Sequence, residues 1–76
     1  MGLPRGYGFE NWGPYAETIT VSAMPTGDES DLAVRVEIDG YVHWLPWSQV
    51  VVADDERHGG WLILMPEWLA RNEGIV

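Results

Sequence analysis

The sequence predicts a small, mainly β domain: a bent antiparallel sheet, or a partly open barrel, of four to five strands with one short C-terminal helix. Three observations carry this expectation. Residues 17–23 and 32–38 alternate apolar and polar side chains with the period of two expected of a strand buried on one face. Asp39-Gly40 separates the second of these runs from another, and this dipeptide suits the positive φ that both central positions of a type I′ hairpin turn require. Pro66 and Gly74 bracket a final stretch, with proline favoured in the first helical turn and glycine just past the last. Seventy-six residues allow one domain, and a chain of that size buries only roughly 60% of its unfolded surface. The expected organisation is an aromatic, glycine-rich arm over 1–16 and a single β-rich domain with its helix over 17–76.

The arm combines Gly2, Gly6, Gly8 and Gly13 with Pro4 and Pro14, which is loop composition. Tyr7, Phe9, Trp12 and Tyr15 are interleaved with them. Disordered tails are poor in aromatics, so the rings are expected to dock on the sheet. In the first strand Ile19, Val21 and Ala23 share one face and Thr18, Thr20 and Ser22 the other. Residues 24–31 (Met-Pro-Thr-Gly-Asp-Glu-Ser-Asp) then read as an exposed loop.

A two-residue loop at Asp39-Gly40 pairs Ile38 with Tyr41, Glu37 with Val42, Val36 with His43 and Arg35 with Trp44. That register leaves Trp44 on the outer face with Glu37 and Arg35, where a cation–π contact with Arg35 would contribute about 0.5–1 kcal/mol. Pro46 lies between Trp44 and Trp47; lacking an N–H, it marks a corner or an edge. Residues 49–53 form a further strand, and 54–60 a charged loop ending in Gly59-Gly60. The apolar run 61–65 suits a central strand covered on both faces. A helix over 66–73 follows, with Glu67 matched to its N-terminal dipole. Trp61, Ile63 and Trp68 are expected in the core, with Trp68 and Leu69 turned to the sheet and Ile75 closing the end.

Charge narrows the function. Twelve acids face four arginines, and with no lysine the formal charge is −8. Nucleic-acid binding draws its affinity from Lys and Arg on phosphates, so direct nucleic-acid binding is disfavoured and a basic protein surface is the expected partner. Cysteine is absent, which excludes disulfides and thiolate zinc sites and fits a reducing cytoplasm. No apolar run reaches the ~20 residues of a membrane span, and the N-terminus lacks a signal peptide's apolar core.

No catalytic constellation is legible. His43 is expected as a structural histidine on the inward face beside Val36. His58, Asp54, Asp55 and Glu56 meet neither zinc spacing nor a calcium-loop pattern. Ser22, Ser30 and Ser48 lack a nucleophile-elbow context. The chain is therefore read as a binding protein, not an enzyme, with no cofactor and no metal.

The segments Trp44-Leu45-Pro46-x-Ser48-Gln49-Val50 and Pro66-Glu67-Trp68-Leu69-Ala70-x-x-x-Gly74-Ile75, with the Asp-Gly turn before them, carry a resemblance over residues 32–76. That part of the chain resembles small, mostly uncharacterised proteins of phages and integrated mobile elements. Trp47 stands where that pattern has a lysine. Small acidic phage proteins of this size are similar in kind to anti-CRISPR inhibitors and DNA mimics. The resemblance therefore implies an inhibitor, in the cytoplasm of a bacterial host, that binds a basic nucleic-acid-binding protein or ribonucleoprotein such as a CRISPR surveillance complex. The candidate partner-binding residues are Glu37, Asp39, Asp54, Asp55 and Glu56, with Trp44 and Trp47 as exposed anchors. Glu37 and Asp39, two apart on a strand, would project to one face about 6.6–6.8 Å apart. The alternatives are a structural or assembly subunit of phage origin, and a small β-barrel nucleic-acid binder stacking bases on Trp44, Trp47 or Tyr41.

Overall fold

The computed structural model describes residues 5–13 and 16–76. Within them the chain forms a five-stranded antiparallel sheet in the order β3-β2-β1-β5-β4, left open, with a short C-terminal helix. The strands are β1 (Thr18–Glu29), β2 (Ala33–Ile38), β3 (Tyr41–Pro46), β4 (Val51–Asp54) and β5 (Trp61–Pro66). Two helices flank them: α1 (Gly8–Asn11) in the arm and α2 (Glu67–Asn72) after β5. A single 3-10 turn, Trp47–Gln49, joins β3 to β4.

The long strand β1 holds the two halves together. Its first half pairs with β5 from Thr18↔Pro66 to Ala23↔Trp61. Its second half crosses to β2, from Met24↔Glu37. The exposed loop expected over 24–31 is thus corrected, because β1 runs on to Glu29. Four steps from Pro25 to Glu29 oppose only two from Val36 to Val34 on β2. The surplus forms a bulge, where proline and glycine are tolerated in a strand. Gly27 takes φ 90° there. Thr26 Oγ1 donates to the Arg35 carbonyl at 3.0 Å and so replaces a missing ladder bond. The tight return to β2 is made at Ser30, whose Oγ accepts the N–H groups of Leu32 and Ala33 at 3.2 and 3.1 Å.

The β2–β3 hairpin has the register the Asp-Gly turn dictates, with Ile38↔Tyr41, Glu37↔Val42, Val36↔His43 and Arg35↔Trp44. Asp39 and Gly40 both take positive φ, 52° and 85°. Alternation then puts Val34, Val36, Ile38 and Leu45 into one core with Val50, Val52, Ile63, Met65, Leu69 and Ala70. Ala23 is buried in the same core, with Ile19 and Val21 packed against it.

Two expectations about the core are corrected. Trp68 is 53% exposed. On a helix successive residues are about 100° apart, and Leu69 with Ala70 takes the inward arc of this six-residue helix. β5 is covered fully on one face only: Ile63 and Met65 are buried, Trp61 is half-buried, and Leu62 on the opposite face is exposed. The end of α2 behaves as its sequence suggests. Gly74 takes φ 73°, the Ile75 N–H reaches the Ala70 carbonyl at 2.8 Å, and Ile75 packs on the core.

The arm docks through its backbone more than through its rings. Arg5 forms a two-way bridge with Val52, N–H to carbonyl at 2.8 and 2.7 Å. The Tyr7 and Gly8 N–H groups donate to the carbonyls of Trp47 and Val50. Trp12 donates from Nε1 to the Gln49 carbonyl at 3.2 Å. Tyr7 and Phe9 stay exposed, and Tyr15 lies outside the described residues.

Candidate interaction surface

Trp47 sits at the corner after Pro46, but its side chain turns inward and is only 6% exposed. Its Nε1–H donates to the Ser30 carbonyl at 3.0 Å, and its own N–H reaches the Leu32 carbonyl. The Arg5 guanidinium lies over the indole, 4.7 Å from its centre. Trp47 is thus a core residue that ties the arm, the β1–β2 turn and the corner together, and it is withdrawn from the candidate anchors. The arginine–tryptophan contact forms here, whereas the Arg35 guanidinium turns to Asp28 at 2.7 Å.

Asp55 is the second correction, at 6% exposed. Its Oδ1 accepts the backbone N–H groups of Arg57 and His58 at 3.1 and 3.2 Å. Its own N–H and carbonyl bond to Gly60 and Gly59. Burial pushes its carboxyl up, but the His58 and Arg57 backbone donors, helped by the His58 side chain, outweigh it and hold it below the ordinary value of 3.8. Asp55 therefore organises the β4–β5 loop and does not face a partner. Asp54 and Glu56 on either side are exposed.

The other candidates fall into two groups. Glu37 and Trp44 lie on the outer face of β2 and β3, both exposed, with Trp44 at 51%. Their neighbours there are Val42, opposite Glu37 on β3, and Met24, opposite Glu37 on β1. Both are exposed too, so Trp44 and Val42 form an apolar strip along β3, and Glu37 lies between Val42 and Met24. Asp39 is exposed at the hairpin tip. Because it adopts the left-handed turn conformation, it does not continue the strand spacing expected from Glu37. Asp54 and Glu56 belong to the other end of the sheet order, with β1 and β5 between β4 and β2. Asp54 pairs with Trp61 and so shares the core-facing parity, opposite to that of Glu37.

Three of the four arginines pair with acids outside the candidate set. Arg5 pairs with Glu29, Arg35 with Asp28, and Arg71 with Glu67. Among the described residues no arginine pairs with Glu37, Asp39, Asp54 or Glu56. The hydrogen-bonded Arg71 also holds the Glu67 carboxyl below the usual range.

Glu73 is a residue the sequence reading missed. His43, half-buried on β3, has Nδ1 3.2 Å from Glu73 Oε1 at the end of α2. Asp39, Tyr41, Val42, His43, Glu73 and Ile75 line an open groove beside the hairpin. Thirty residues separate the histidine from its carboxylate, so no local spacing announces the pair. Among the described residues no three His, Asp or Glu side chains converge as a metal site, and no helix is long and apolar enough to cross a membrane. No protein-family model, curated protein or solved structure matches the chain.

Proposed function

We propose that this protein is an acidic binding module whose β2–β3 face docks on a basic, nucleic-acid-binding surface of another protein, acting as a phage-type inhibitor that keeps DNA from a CRISPR surveillance complex. The observation that carries the reading is the exposed Trp44 strip set against Glu37 and Asp39 in a chain of charge −8, three of whose four arginines pair with other acids. Desolvated aromatics dominate binding energies, while rim charges mostly set association rates. Glu37 and Asp39 would steer a cationic surface and pair with its Arg and Lys. Trp44, with Val42 beside it on β3, would supply the buried anchor. Asp54 and Glu56 would add to the long-range field without touching the same patch. The surveillance complex as target rests on the resemblance of residues 32–76 to mobile-element proteins. The module is read as a binder because, among the described residues, its exposed groups are mainly charges and rings.

The test is competition. Purified surveillance complex from the native host is mixed with labelled target DNA and increasing protein. Displacement of DNA by the wild type is the expected result. Trp44→Ala should speed dissociation, weakening binding by about 2 kcal/mol or more if it is the hot spot. Glu37→Lys with Asp39→Lys should slow association and flatten its salt dependence. No binding to the complex, with no protection of phage carrying the gene, overturns the inhibitor reading. Tight binding of labelled single-stranded DNA at low salt would favour a nucleic-acid binder instead.

A further inference from the structure

The two edges of the sheet are treated differently. On one side, β4 is closed by the Arg5–Val52 bridge. On the other, β3 ends the sheet order and, among the described residues, pairs only with β2. A two-residue hairpin makes Ile38/Tyr41 a hydrogen-bonded pair, and the antiparallel ladder alternates from there. Val36/His43 and Val34/Leu45 are then bonded pairs, while Val42 and Trp44 sit at the non-bonded positions. Their N–H and C=O groups therefore point away from the sheet. Among the described residues, no turn, loop or arm backbone bonds to either residue.

Proteins usually protect such an edge with charge, proline, a bulge or a covering segment. The residues of β3, Tyr41-Val42-His43-Trp44-Leu45-Pro46, include no acid, lysine or arginine, and proline stands only at the far end. Tyr41, Val42 and Trp44 are all exposed. One flank of this edge carries the apolar Trp44–Val42 strip, and the other the groove that holds the Asp39 and Glu73 carboxylates beside Tyr41.

We propose that the β3 edge is a strand-addition site for a basic extended segment of the partner protein. An incoming strand would bond the Val42 and Trp44 backbones. Its alternate side chains would fall on the two flanks: apolar residues on Trp44 and Val42, Arg or Lys over Asp39 and Glu73. Main-chain pairing with side-chain pockets of alternating character is how edge strands read peptides. Charge selects the occupant. A second copy of this chain would bring −8 against −8, whereas a basic strand neutralises the groove. The inference deepens the functional reading, resting on its acidic-face partner and adding the mode of contact.

The probe is a short synthetic peptide alternating arginine and valine, titrated into the full chain. Hydrogen exchange reports on the Val42 and Trp44 amides, and a version of the peptide N-methylated at alternate residues serves as the control. The expected result is binding that protects both amides and weakens about tenfold or more on N-methylation, since main-chain bonds carry the affinity. Val42→Pro should weaken it similarly while leaving the β2 pairing intact, because the lost N–H faces solvent. Val42→Lys gives a second variant should the proline disturb the fold. Equal binding of the N-methylated peptide, or no binding of either peptide, overturns strand addition. So does concentration-dependent self-association that Val42→Lys abolishes, since the occupant would then be a second copy. A surveillance complex that binds wild type and Val42→Lys equally also overturns strand addition while leaving the inhibitor reading in place. Peptide binding without any complex binding overturns the inhibitor reading alone.

Discussion

Asp55 and Glu56 are neighbours of the same charge with opposite roles. Asp55 is enclosed and accepts two backbone N–H groups, whereas Glu56 faces water. Removing an acceptor from buried donors leaves them unpaired, which costs far more than removing a solvated charge. Asp55→Ala should therefore lower the melting temperature by several degrees, and Glu56→Ala should leave it within about one degree, as surface changes do. The pH dependence has a definite sign. Because the folded carboxyl is held below 3.8, its contribution is present at neutral pH and is lost as pH falls below that value. The melting-temperature gap between wild type and Asp55→Asn should accordingly narrow in acid. The tryptophans separate in the same way. Trp47→Ala empties a core site and breaks the bond to Ser30, so a loss of about 3–5 kcal/mol is expected in urea unfolding. Trp68 keeps about half its surface in water, and Trp68→Ala should cost only about 1–2 kcal/mol.

At the scale of elements, the hairpin turn and the arm each hang on one glycine. Gly40 takes φ 85° in open space, so Gly40→Ala meets only the left-handed backbone penalty, about 1–2 kcal/mol. Gly6 takes φ 103°, and a Cβ there would lie 2.2 Å from the Val50 carbonyl oxygen. That oxygen is the acceptor of the Gly8 N–H. Gly6→Ala should therefore lift the arm off the corner, and hydrogen exchange should show the Val52 amide, which bonds to Arg5, losing protection ahead of β2 and β3. The turn was legible because Asp39-Gly40 states its own dihedral requirement. The arm's docking was legible only as aromatic content, and it is made by backbone groups to which the side-chain pattern gives no clue. β1 shows the opposite failure. Pro25 and Gly27 read locally as breakers, yet β2 accepts them through a bulge and a threonine bond.

For the whole molecule, the consequence of an open sheet is an asymmetry of edges. The arm bridges β4, and among the described residues nothing pairs with the outer edge of β3, next to the face where Glu37, Asp39 and Trp44 lie. The seven candidate residues do not form one patch. Glu37, Asp39 and Trp44 gather at the β2–β3 hairpin, Asp54 and Glu56 lie beyond two further strands, and Trp47 and Asp55 serve the fold. Charge reversal should show that division. Glu37→Lys with Asp39→Lys should reduce both the association rate and the affinity for the partner. Asp54→Lys with Glu56→Lys should slow association in low salt and change dissociation little. Stopped-flow binding at two ionic strengths reads both.

By itself the sequence determined whatever depends on near neighbours. The alternation chose strands, Asp39-Gly40 chose the turn and with it the β2–β3 register, and Gly74 with Ile75 chose the end of α2. It also placed Trp44 on the outer face, since register and parity follow from the turn. Tertiary structure alone decided which of two similar side chains is enclosed, because burial depends on surfaces brought in from far along the chain. Trp47 is enclosed by Arg5 and the β1–β2 turn, Trp68 is left out by Leu69 and Ala70, and Glu73 meets His43 only once α2 folds back beside the hairpin.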